Sequence, residues 1–147
     1  MPFLAALALL TACDRKDAKD LAADSLMTSV AAIPKTGHVM AFDLGRALDQ
    51  SGRIYGGVSS RFSPSDTLFL SVRTQYVMAG APVAARILQG RRTVDSANAP
   101  AAAADSTGIA FLRFHFAQTK GWAPGKYQVE VFLDGKSQGL KDFEVVR

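Results

Sequence analysis

From His38 onward the chain breaks into short runs of alternating apolar and polar residues, separated by Gly, Pro, Asp and Ser. Successive side chains of a strand point to opposite faces, so a period of two marks a half-buried strand. HVMAFDL (His38–Leu44) predicts a first strand. The same period groups Leu68, Leu70 and Val72 in DTLFLSVRT, and Val83, Ala85 and Ile87 in PVAARILQ. GIAFLRFHF sets Ala110, Leu112, Phe114 and Phe116 on one face, with Ile109, Phe111, Arg113 and His115 on the other. KYQVEVFLDG turns Tyr127, Val129, Val131 and Leu133 inward and Lys126, Gln128, Glu130 and Phe132 outward, and LKDFEVV turns Phe143 and Val145 inward. Asp134-Gly135 lies between these last two runs and suits a tight hairpin turn that needs positive φ. The pattern predicts an all-β, antiparallel protein.

Ser96–Gly108 (SANAPAAAADSTG) is small and polar, with a proline inside it, and reads as a long flexible loop. Phe69, Phe111 and Phe132 fall on nominally outer faces. Either they mark a partner-binding patch, or the face assignment is one residue out, which would invert every position in a strand. About seven strands in the stretch 38–147 match an immunoglobulin-like sandwich. GKYQVEVFLDG strengthens this, because its Gly-x-Tyr-x-Val-x-Val resembles the penultimate strand of immunoglobulin-like and fibronectin type III-like domains. The resemblance implies that Tyr127 bonds its hydroxyl back to the connecting loop and that Trp122 plugs the end of the sandwich. That fold hosts many functions and carries no activity with it.

The N-terminal third follows a different pattern. FLAALALL (Phe3–Leu10) is an apolar run too short to span a bilayer, and after Cys13 the segment DRKDAKD carries six charges in seven residues. Cys13 is the only cysteine in 147 residues, so the chain forms no internal disulfide. By itself the thiol is a redox group, a core residue or an attachment point. LTAC (Leu10–Cys13) resembles the lipobox of bacterial lipoproteins. The resemblance implies a signal peptide over 1–12, removed, and a lipid-bearing Cys13 that heads the mature chain. Two or three acyl chains anchor stably where one does not. Asp14 resembles the inner-membrane retention signal of enterobacterial lipoproteins. Residues 13–37, rich in Ala, Asp, Ser and Lys and closed by IPKTG, form a flexible or partly helical tether to the domain.

Charge changes meaning in that setting. The chain carries a net +4, and in a cytoplasmic protein that would suggest nucleic acid. A lipid-anchored domain facing the periplasm or the exterior has no such partner. Arg46, Arg53, Arg61, Arg91 and Arg92 instead suggest attraction to anionic headgroups or envelope polymers, beside the simpler reading of a solvated basic surface.

Catalytic patterns are sparse. YGGVSSRFS lacks a phosphate-loop lysine, no Gly-x-Ser-x-Gly occurs, and two histidines, His38 and His115, are too few for a three-histidine zinc site. Asp66 in SPSDTL suits a turn entering a strand. The expectation is therefore a membrane-anchored, non-catalytic interaction or assembly module with no cofactor and an envelope protein as partner. The alternatives are a module binding anionic envelope polymers, or an envelope hydrolase or metal-dependent enzyme using His38 or His115 with Asp66 or Asp43.

Overall fold

The computed structural model describes residues 36–147. Cys13, Asp14 and nearly all of the expected tether lie outside the described residues. Every element described is a strand: β1 (His38–Gly45), β2 (Arg61–Phe62), β3 (Leu68–Gln75), β4 (Pro82–Gln89), β5 (Arg92–Pro100), β6 (Ile109–Phe116), β7 (Gly125–Leu133) and β8 (Lys136–Val145). They form a three-stranded sheet, β1-β3-β6, and a five-stranded sheet, β2-β8-β7-β4-β5. All pairings are antiparallel except β2, which lies parallel to β8.

The apolar period works as expected. Leu70, Val72, Leu112 and Phe114 of the small sheet share one core with Val83, Ile87, Val129, Val131 and Val145 of the large sheet. Burying each large side chain of this kind contributes roughly 1.5–3 kcal/mol. Phe69, Phe111 and Phe132 do face outward, so the face assignment is in register, yet each is half-covered rather than free. Arg53 stacks 4.9 Å from the Phe111 ring centre, Arg86 stacks 4.9 Å from that of Phe132, and the His115 ring lies 6.5 Å from Phe69.

One expectation fails. Residues 96–100 are not loop but the second half of β5, paired with β4 through Ala85–Ala97 and Val83–Ala99. The backbone of β4 supplies a ladder that composition cannot reveal, and small side chains suffice where Ala97 and Ala99 pack on the rim of the core. The connecting loop is correspondingly shorter. It begins at Ala101, which is buried and donates its N–H to the Ala81 carbonyl at 2.8 Å.

Two local signals are expressed in the backbone. Asp134 and Gly135 have φ of 50° and 77°, which a two-residue hairpin between β7 and β8 requires. Tyr127 donates its hydroxyl to the Ala123 carbonyl at 2.6 Å, and Trp122 donates Nε1–H to the Asp66 carbonyl at 3.0 Å. The two rings meet edge to face at 5.8 Å, and Tyr127 stacks on Phe143 at 5.3 Å. Burial pushes the Tyr127 phenol above its ordinary value of 10.0, and the nearby charge of Arg92 opposes that shift.

Candidate functional site

The loop between β1 and β2, residues 46–60, does not hang into solvent. It folds back over the outer face of the three-stranded sheet as a strap, and local chemistry dictates its shape. Asp49 accepts hydrogen bonds from the Ser51 N–H at 2.8 Å, the Ser51 hydroxyl at 2.6 Å and the Arg53 N–H at 3.0 Å. Its own N–H bonds the Arg53 carbonyl at 2.9 Å, and Leu48 pairs with Ile54 as an isolated bridge. An aspartate that saturates nearby backbone donors makes a tight turn without a core of its own. The hydrogen bond from the Ser51 hydroxyl, with those from the Arg53 and Ser51 amides, holds the Asp49 carboxyl below its ordinary 3.8.

Two glycines let the strap lie close to the sheet. Gly52 is buried with φ of 87°, and a Cβ there would sit 3.1 Å from Arg113 Cγ. At Gly45, on β1, a Cβ would run into the Ile54 side chain. Ser71, on β3, fastens the seat by donating its hydroxyl to the Gly52 carbonyl at 2.6 Å. A serine on an outer face is thereby left only 7% exposed.

Beside the strap is a hollow of about 490 Å³, lined by Ala41, Asp43, Arg53, Ile54, Val58, Ser71, Arg73 and Phe111. A second of about 380 Å³ opens against Arg46, Ala47, Leu48, Asp49, Phe69, Arg113, Phe114 and His115. One face therefore gathers Arg53, Arg73 and Arg113, and none of the three has an ion pair among the described residues. Asp43, the acid beside them, is held by Lys141 at 2.6 Å, and the same ammonium donates to the Phe42 carbonyl.

The five arginines expected to bind anions do not form one patch. Arg46 is spent on structure: it bonds Asp66 at 3.1 Å and the Arg61 carbonyl at 2.6 Å, and stacks 5.2 Å from the Phe62 ring centre. Arg61 faces Glu144 at 3.7 Å beside a third hollow of about 570 Å³, whose lining balances Arg61 and Lys126 against Asp142 and Glu144. Arg91 and Arg92 are exposed at the β4–β5 turn. Of the five, Arg53 alone lines the hollow beside Arg73, while Arg46 lines the one beside Arg113 with its guanidinium already engaged. Arg73 and Arg113 are not among the residues the sequence singles out, because a strand arginine signals nothing until a loop from elsewhere lands beside it.

The remaining candidates have modest neighbours. His38 Nδ1 lies 3.1 Å from the Thr36 carbonyl, and His115 lies against Phe69. Asp66 accepts from the Ser63 N–H at 2.8 Å, the turn-stabilising bond its sequence suggests. No group of three or more metal-ligating side chains occurs among the described residues.

No protein-family model matches the chain, and no curated protein matches it. Among solved structures, an immunoglobulin-like protein from Pseudomonas aeruginosa is similar at 10% identity and a TM-score of 0.51, over 78% of this chain and 100% of that one. An alkylpurine DNA glycosylase of Pseudomonas fluorescens, bound to DNA containing an abasic-site analogue, matches with a TM-score of 0.48 at 14% identity. That match covers 90% of this chain, and this chain spans 37% of the glycosylase. A Listeria innocua β-glucosidase in complex with glucose gives 0.46 at 12% identity, covering 73% of this chain and 16% of the enzyme. The first likeness, with eight strands in two sheets, establishes an all-β immunoglobulin-like sandwich.

Proposed function

We propose that this chain is a membrane-anchored envelope lipoprotein whose sandwich serves as a non-catalytic interaction module. The strapped face carries the reading. A loop pinned by side-chain-to-backbone bonds presents Tyr55, 70% exposed, and Val58, 62% exposed, beside arginines that have no ion pair among the described residues. Ordered loops rich in Tyr, Ser, Gly and Arg bind proteins well, since they offer large contacts at small entropic cost. The anchor rests on LTAC and on the abrupt charged segment behind Cys13.

Metabolic labelling with palmitate tests the anchor: the wild type labels and Cys13→Ser does not, and equal labelling of both would overturn it. In-cell photocrosslinking from position 55 tests the module. A discrete protein adduct is expected there and not from position 84 on the other sheet; no adduct from 55, or the same adduct from both, would sink the idea.

A second reading is favoured by Arg91 and Arg92, which are exposed and have no ion pair among the described residues. It takes the protein as a binder of anionic envelope polymers or headgroups through its basic surface. Binding to phosphatidylglycerol vesicles that vanishes at high salt, and with Arg91→Gln/Arg92→Gln, would support it.

A further inference from the structure

We infer that the hollow of about 490 Å³ between the strap and the three-stranded sheet is a carboxylate-binding site that receives an acidic segment of a protein partner. This rests on the interaction-module reading and adds the chemistry of the contact.

Arg53 and Arg73 enter the hollow from different elements, one from the strap and one from β3. On the sheet, Arg73 stands between Ala41 of β1 and Phe111 of β6, its neighbours across the ladder. Arg53 is held in place by its stack on Phe111, so its guanidinium is positioned before any ligand arrives. A stacked guanidinium keeps its in-plane N–H donors free, and that planar fork matches the two oxygens of a carboxylate. Two such groups with no ion pair among the described residues, in a depression walled by Ile54, Val58 and Phe111, create a local demand for negative charge.

The acid that lines the hollow does not meet that demand. The Asp43 carboxylate is engaged by the Lys141 ammonium at 2.6 Å, and that pair cancels its own charge. Asp49, at the foot of the strap, is engaged by Ser51 and Arg53 amides and faces the other hollow, and the Arg53 charge is the smallest of the influences on it. Arg113 lies on the far side of the strap and adds to the positive field.

The surroundings favour a polypeptide over a sugar or a lipid surface. Val58 of the lining is 62% exposed, Tyr55 next to Ile54 in the strap is 70% exposed, and Gly56 and Gly57 between them have positive φ with open space around them. Apolar and aromatic groups ringing an arginine pair resemble the centre of a protein interface, where Tyr and Arg dominate the binding energy.

The test uses the full chain carrying Cys13→Ser, so that no lipid complicates solution binding, with poly-L-glutamate as the probe. Backbone amide shifts at Gly52, Arg53, Ser71, Arg73 and Phe111 should saturate on titration. Arg73→Gln, at an exposed position with no ion pair among the described residues, should weaken binding by about tenfold or more, and Arg53→Lys by less. Arg91→Gln/Arg92→Gln removes twice the charge of Arg73→Gln and should leave affinity within about twofold. Equal weakening by the two variants would overturn the site in favour of diffuse attraction. So would shifts confined to other residues, or tighter binding to phosphatidylglycerol vesicles than to poly-L-glutamate. A negative titration with a discrete crosslink from position 55 would remove the carboxylate site and leave the interaction module. Loss of the crosslink with a positive titration would do the reverse.

Discussion

The two outer faces of this sandwich dispose of their polar residues in opposite ways. In the middle of the five-stranded sheet, across β4, β7 and β8, charges are settled within the ladder. Arg86 bonds the Glu130 carboxylate through Nε at 2.8 Å and Nη2 at 2.6 Å, and Gln128 bonds Asp142 at 2.8 Å across adjacent strands. Burial would raise the Glu130 carboxyl, but bonds from Ser137 and Arg86 and the charge of Arg86 outweigh it and hold the group low. On the three-stranded sheet, a loop is laid over the face and arginines are left without acids. A face whose charges are mutually satisfied has little left to offer a partner. A face where Arg53 is stacked on Phe111, and Arg73 and Arg113 have no ion pair among the described residues, has charge left to offer one. On the proposed reading, that difference would give scaffolding to one side and recognition to the other.

The strap is what makes the second face distinct, so removing it has the largest expected effect. Gly45→Val places a branched side chain where Ile54 now packs. Overpacking of this kind costs about 2–3 kcal/mol. The midpoint of urea unfolding should fall, and limited proteolysis of the folded protein should cut within residues 46–60. An unchanged midpoint and an uncut strap would mean that the seat is looser than its geometry. The matching change on the other face is smaller. Arg86→Ala leaves a Glu130 side chain, 11% exposed, without its cation, and because Arg86 is 42% exposed water replaces part of the loss. About 1–2 kcal/mol is expected. A loss equal to that of Gly45→Val would erase the distinction between a rigidly seated strap and a solvated ladder.

A third variant touches neither face and supplies their reference. Tyr127→Phe removes only the hydroxyl that bonds the Ala123 carbonyl, leaving the stack on Phe143 intact. It should cost about 1 kcal/mol, read as a lower melting temperature. A melting curve identical to wild type would show that the hydroxyl adds nothing to the end of the sandwich.

Local signals are legible in the sequence, and long-range ones are not. Strand faces follow from a period of two, the β7–β8 turn from Asp134-Gly135, and the Tyr127 corner from the resemblance of Gly-x-Tyr-x-Val-x-Val to the penultimate strand of immunoglobulin-like domains. The second half of β5 is invisible there because Ser96–Pro100 becomes a strand only when β4 lies alongside it. The candidate site is harder still. Arg73 and Arg113 acquire meaning only from a strap that begins 27 residues before the first and 67 before the second and is seated by Gly45, Gly52 and Ser71. One clue does lie in plain composition. DQSGR (Asp49–Arg53) and DSTGI (Asp105–Ile109) are two copies of one turn. In each, the aspartate accepts from the N–H groups two and four residues on, and from the hydroxyl two residues on.

Those twin turns permit the finest test, because one sits beneath the candidate site and the other does not. Both carboxyls are held below 3.8, Asp49 first by the Ser51 hydroxyl and Asp105 first by that of Thr107. A carboxyl lowered in the folded state adds stability that is complete above its unfolded value and fades as pH falls through the folded one. Each turn should therefore be fully held at neutral pH and should loosen only below 3.8. Asp49→Asn keeps an acceptor oxygen but loses the charge. At neutral pH it should speed amide exchange at Ser51 and Arg53, and the gap from wild type should close as the medium is acidified past that point. Asp105→Asn should do the same at Thr107 and Ile109 while leaving the strap amides and the poly-L-glutamate titration unchanged. If the Asp105 variant disturbs the strap as much as the Asp49 variant does, the two turns share one stability, and the strap is not an independently held element.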